Sequence, residues 1–219
     1  MGRLAALVAL AVVATALVVT GVAFAAKGDP KKHHTPADMR RARSVVLRPA
    51  DLPADWKSAP SSPNSGGNLH CKGFDPDESD LTETGTADSP DFSKSLSFIS
   101  SSASLYLTAA QAQASWNRVV KPGLLTCLKS LFEQGASSSG TTTTVLGEGL
   151  LAFPKLAPRT AAFRMAFLTK STSLSLKGDV DVVLLGRGRI DVVMLFVAFG
   201  APDATLERHL ASVVASRLR

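Results

Sequence analysis

Gly178–Gly200 reads GDVDVVLLGRGRIDVVMLFVAFG, and this stretch decides the fold. Two runs rich in Val, Ile, Leu and Phe flank Gly186-Arg187-Gly188-Arg189, the pattern of a β-hairpin closed by a short glycine turn. Val180, Val182 and Leu184 share one face of the first arm, with Asp179, Asp181, Val183 and Leu185 on the other. On the second arm Ile190, Val192, Met194, Phe196 and Ala198 oppose Asp191, Val193, Leu195, Val197 and Phe199. Both faces are apolar in the middle and turn polar only toward the ends. A hairpin of this kind belongs at the centre of a sheet, over residues 179–199, with other segments covering it on both sides.

The flanking segments supply those covers. Thr108-Ala109-Ala110-Gln111 matches a capping box, and Ala112, Trp116, Val119 and Val120 follow at helical spacing until Pro122-Gly123 breaks the run. A second helical piece carries Leu124, Leu128, Leu131 and Phe132 on one side, with Cys127 beside them. Pro202-Asp203 opens a last helix, expected over 202–218. Leu206, Leu210, Val213 and Val214 form its stripe, His209 packs at the stripe's edge, and Arg208, Arg217 and Arg219 stay wet. Residues 95–99 and 103–107 read as one long strand or a pair, and further strands are expected at 142–146 and 160–170, with a turn at Gly147-Glu148-Gly149 and a short strand from Leu150 to Phe153. Strand, helix pair, several strands and helix make an α+β domain: an antiparallel sheet with helices packed on its faces, over residues 44–219. Leu52-Pro53-Ala54-Asp55-Trp56 delivers an aromatic anchor for the start of that domain.

The N-terminal part has a different character. Leu4–Ala26 contains no charged residue and follows only Met1-Gly2-Arg3, so residues 1–26 read as a signal peptide or a signal anchor. Ala23-Phe24-Ala25 has the small-x-small form of a cleavage site, which places the cut at Ala25 and Ala26; uncut, residues 4–26 are long enough to span a bilayer. Residues 27–43 are basic, lack an apolar period and read as a linker. Residues 1–48 hold eight Lys or Arg against two Asp, a net of +6. Because the whole chain also sums to +6, residues 49–219 balance at zero. The basic isoelectric point therefore describes an arm, and the folded part has neither the charge nor the stacking aromatics of a nucleic-acid binder.

Lys and Arg are richer on the C-terminal flank of the apolar segment, which by the positive-inside rule favours a cytoplasmic body. The cysteines favour the opposite side. There are two, Cys71 and Cys127; a reduced compartment would leave them free, whereas an exported domain with an even count points to a disulfide. Export is the reading taken, secreted or at the outer face of the plasma membrane.

No catalytic, metal or nucleotide motif emerges. Gly186-Arg187-Gly188 lacks the third glycine of a dinucleotide fingerprint and precedes a strand, not a helix. The acidic stretch from Asp75 to Asp91 has Asp80 and Thr86 where a calcium loop needs Gly and Glu, so it reads as a solvated loop. His33 and His34 fall in the linker. His70 adjoins Cys71, but a sulfur held in a disulfide is no nucleophile. The expectation is a non-enzyme with no cofactor, whose sheet–helix cleft takes a small apolar or lipid-like ligand. An envelope adaptor without a small-molecule site is the alternative, its protein partner unidentified.

Leu52–Trp56, Cys71, Ser104–Trp116, Cys127, the hairpin with Gly-Arg at its tip and the closing helix together resemble the extracellular sensor domain of PknH-type Ser/Thr kinases and PsbP/Mog1-like lipoproteins. The resemblance implies an α+β sandwich with a ligand cleft. Within these residues there is no kinase domain and no lipobox cysteine, and the cysteines suffice for one disulfide where the sensor domains usually have two.

Overall fold

A computed structural model describes residues 28–61, 71–137 and 140–219, the side chains of 135–137 excepted. The expected leader 1–26, its cleavage residues Ala25 and Ala26, and His70 lie outside the described residues. The described chain forms strands β1 (Lys31–Lys32), β2 (Lys57–Ala59), β3 (Thr82–Asp88), β4 (Asp91–Lys94) and β5 (Ser97–Tyr106), then β6 (Thr142–Leu150), β7 (Arg159–Lys170), β8 (Ser175–Arg187) and β9 (Ile190–Phe199). The helices are α1 (Pro36–Val45), α2 (Ala109–Val119), α3 (Pro122–Ser137) and α4 (Ala204–Arg217). The architecture is α+β. Along the sheet the order is β1-β3-β5-β9-β8-β7-β6, with β4 on β5 beside β3 and β2 on β4. Every pairing is antiparallel except the short β1–β3 contact.

The hairpin is central, as its two-sided apolar pattern requires. Its turn is shorter than expected: β8 runs through Arg187, which pairs with Ile190, leaving Gly188-Arg189 as the loop. Gly188 has φ 56°, the left-handed backbone that a two-residue hairpin turn demands at its first position. Val183, Leu185, Val192 and Met194 are fully buried against α1 and α4 on one side of the sheet. Val180, Val182, Leu184 and Val197 face α2 and α3 on the other, with Phe163 and Phe167 from β7.

Residues 27–43 are not a linker throughout. Lys31–Lys32 pair with β3, and Pro36–Val45 form α1, because Thr35 accepts from Asp38 N at 3.1 Å as a cap and Ala42 and Val45 bury completely. Charge hid a short amphipathic pattern there. The acidic stretch likewise contains β3: Thr82, Thr84 and Thr86 favour extended backbone, and Gly85 lets α1 sit directly on the strand. A Cβ at Gly85 would lie 2.6 Å from the Asp38 carbonyl carbon. Arg189 at the hairpin tip fastens this corner, donating to Tyr106 O at 2.7 Å, Asp38 Oδ2 at 2.6 Å and Thr84 Oγ1 at 3.0 Å.

Other differences are local. Gly147-Glu148-Gly149 continue β6 through a bulge after Val145 instead of turning, and Leu150 ends that strand, so no separate strand reaches Phe153. The last helix begins at Ala204 instead of Pro202, with Asp203 as its cap, accepting from Thr205 N at 3.1 Å and Leu206 N at 3.0 Å. Trp56 is half-buried against the core. Arg217 is not wet: it donates to both Asp51 oxygens and to Val46 O at 3.0 Å, while His209 is exposed and Glu207 takes a buried place.

Candidate functional site

Antiparallel register lines up rows of side chains across the α2/α3 face of the sheet. One row runs Thr86, Ser104, Asp191, Gly186, Arg159, on β3, β5, β9, β8 and β7. The next is Asp88, Ser102, Val193, Leu184, Ala161, and the third is Ser100, Leu195, Val182, Phe163, Leu150. Helix α3 covers the β6–β7 side and α2 packs on β5 and β9 at one end, where Tyr106 Oη lies 2.7 Å from Ser115 Oγ. Between them the middle of β5 and β9 stays open. Val193 is 39% and Leu195 38% exposed, whereas Val192 and Met194 beside them on the opposite face are at 0%. Central strands rarely leave aliphatic side chains uncovered, so this face is the candidate site. Its floor is half-buried Ser100, Ser102, Ser104 and Thr86 beside two aliphatic side chains.

One end of the site is closed by an ion pair that spans three strands. Arg159 donates to Asp191 Oδ1 from Nε at 3.0 Å and from Nη2 at 2.9 Å, and to Ile190 O and Gly188 O at 3.1 Å each. It reaches across Gly186, where a Cβ would lie 2.5 Å from Arg159 Nε. The guanidinium carbon stands 5.9 Å from the Trp116 ring centroid, a cation–π distance. Burial pushes Asp191 up to about 6, with Arg159 pulling the other way. Burial also raises the Tyr106 phenol, and it raises Glu78, whose buried Oε1 has no hydrogen-bond partner among the described residues.

Glu83 links β3 to this end. His34 Nε2 lies 2.8 Å from Oε1, and Ser104 donates to Oε2 at 3.1 Å. Hydroxyl and imidazole meet on the carboxylate instead of on each other, which differs from the nucleophile–base–carboxylate order of a hydrolase. Among the described residues no group of His, Cys, Asp and Glu is arranged to hold a metal ion, and no helix is long and apolar enough to cross a membrane.

The expected disulfide is formed. Cys71 and Cys127 are bonded, with Cα atoms 5.4 Å apart, fixing the Cys71–Phe74 turn onto α3. Cys127 faces the core at 1% exposure. Sequence reasoning missed the Arg159–Asp191 bridge and the open row of β5 and β9. Gly186 inside a strand was the available signal, since a glycine there marks close approach of another group.

Neither a family model nor a curated protein matches the chain. Among solved structures it is similar to the extracellular domain of PknH from Mycobacterium tuberculosis, at 10% identity and a TM-score of 0.40, covering 84% of this chain and 96% of that one.

Proposed function

We propose that this is an exported or membrane-anchored, non-catalytic domain at the bacterial cell envelope that holds a small apolar or lipid-like ligand on the open face of β5 and β9. The observation that carries the proposal is the exposure of Val193 and Leu195 at the centre of the sheet. Aliphatic surface left open there costs free energy in the unliganded protein, and an acyl chain laid along it would recover that cost. The serine row of β5 offers hydroxyls to a polar head at the border of the same patch. The Arg159–Asp191 pair, braced by Trp116, keeps one end of the face rigid. The Cys71–Cys127 bond and the apolar segment 4–26 support an oxidising location.

Incubating the purified domain with a bacterial lipid extract and reading the retained species by mass spectrometry tests this. Wild type is expected to keep a lipid-like species, and a Val193→Thr/Leu195→Thr variant at least tenfold less, both compared at a temperature where circular dichroism shows them folded. Equal retention by the two proteins would exclude the face as the site. No retention by either would favour the second reading, an envelope adaptor. That reading has its own support in β6, the edge strand among the described residues, where Leu146 and Leu150 are 53% and 83% exposed.

A further inference from the structure

Two carboxyls meet inside the interface between α4 and the sheet, on the side away from the candidate site. Glu207, in the first turn of α4, is 5% exposed, and Asp181, in the middle of β8, is 1% exposed. Across this interface the Asp181 carboxyl opposes charge on Glu207. Two carboxylates offer only acceptors, so two acids buried together beside one cation favour a proton on one of them. One cation serves the pair. Arg164 on β7 stands directly across from Asp181 in register and donates to it bidentately, from Nε to Oδ1 at 2.7 Å and from Nη2 to Oδ2. Two further carboxyls lie nearby. Asp203 caps α4, and Asp179 lies next to Asp181 on the same face of β8 and feels Arg164. Leu210, Ala211 and Val214, fully buried, continue the same stripe of α4. The segment 151–158 packs Leu151, Phe153 and Leu156 against this core, and its Lys155 is exposed.

We propose that Glu207, Asp181 and Arg164 form a proton-controlled latch, in which a carboxylic acid–carboxylate pair holds the first turns of α4 on the sheet and loss of the shared proton releases them. Burial first, then the neighbouring Asp181 carboxyl, lift the Glu207 carboxyl to about 8, with Arg164 opposing. An unfolded chain has glutamate near 4.3. Between those values the folded state holds a proton that the unfolded state has lost, so stability falls as pH rises across the window. Above about 8 the folded state ionises as well, and two carboxylates then face one guanidinium in apolar surroundings.

The experiment is amide hydrogen exchange of the full chain at pH 6.5 and pH 9, corrected for intrinsic rates, on wild type and Glu207→Gln. The amide of glutamine keeps a donor toward Asp181 and has no proton to lose. In wild type, protection over residues 204–210 is expected to fall about thirtyfold between the two pH values, since opening gains about tenfold per pH unit up to the midpoint near 8 and little above it. In Glu207→Gln it stays level. A carbonyl NMR titration of Glu207 in wild type keeps the proposal testable should the variant fold poorly, with a midpoint expected near 8. A midpoint in the ordinary carboxylate range, or equal pH dependence in both proteins, would overturn the latch.

Discussion

Replacing Cys71 by Ser and Cys127 by Ala lowers the stability of the folded chain by about 4 kcal/mol, and with it the melting temperature by roughly 10 °C. The cysteines are 56 residues apart, and cross-linking that loop removes much of its freedom from the unfolded chain. The native state adds to the effect. The bond ties the Cys71–Phe74 turn to α3, which in turn covers β6 and β7. Freed, the turn would expose Phe74 and leave a buried gap beside Leu124. Calorimetry with and without reductant, alongside the double variant, measures the difference. Reduced wild type and the variant should melt together, well below oxidised wild type. If all three melt at one temperature, the bond makes no contribution in solution.

Phe167→Ala is expected to cost about 4 kcal/mol, within the range for removing a fully buried aromatic ring. Phe167 is at 0% exposure and sits where three elements meet. Its ring is edge-on to Phe132 of α3, with centroids 4.9 Å apart, and to Phe199 of β9 at 5.3 Å. On the adjacent strand it lies over Gly178, its register partner, where a Cβ would fall 2.6 Å from Cζ. No flexible side chain is therefore available at Gly178 to fill the cavity. Denaturant unfolding reads the loss as a lower midpoint at unchanged slope. A loss below about 1.5 kcal/mol would mean that the site collapses around the missing ring, contrary to the packing described.

What the sequence reveals depends on how local the cause is. The hairpin is legible because alternation on two faces is written within 23 consecutive residues, and Thr108 announces α2 by its own capping side chain. Helix α1 is not, since its five charged or capping-type residues among ten mask Ala42 and Val45. Strand β3 disappears in a count of acidic residues, although its threonines alternate as a strand should. The candidate site is harder still. Asp191 meets Arg159 only because β9, β8 and β7 lie side by side and Gly186 has no side chain between them. Register across three strands is fixed by the whole sheet and leaves only a strand-interior glycine as its trace. Glu207 could have been found: with Leu210, Ala211, Val214 and Leu218 it falls on the buried stripe at spacings of three and four.

The open middle of β5 and β9 is the binding surface proposed for this domain. Its most direct test is a methyl NMR titration of the full chain with palmitate as a single-chain apolar probe, following Val193 and Leu195 with Leu146 and Leu150 as controls. Saturable shifts at Val193 and Leu195, with the two edge leucines unmoved, are the predicted result. Unmoved signals at Val193 and Leu195, or shifts confined to the leucines of β6, would contradict it.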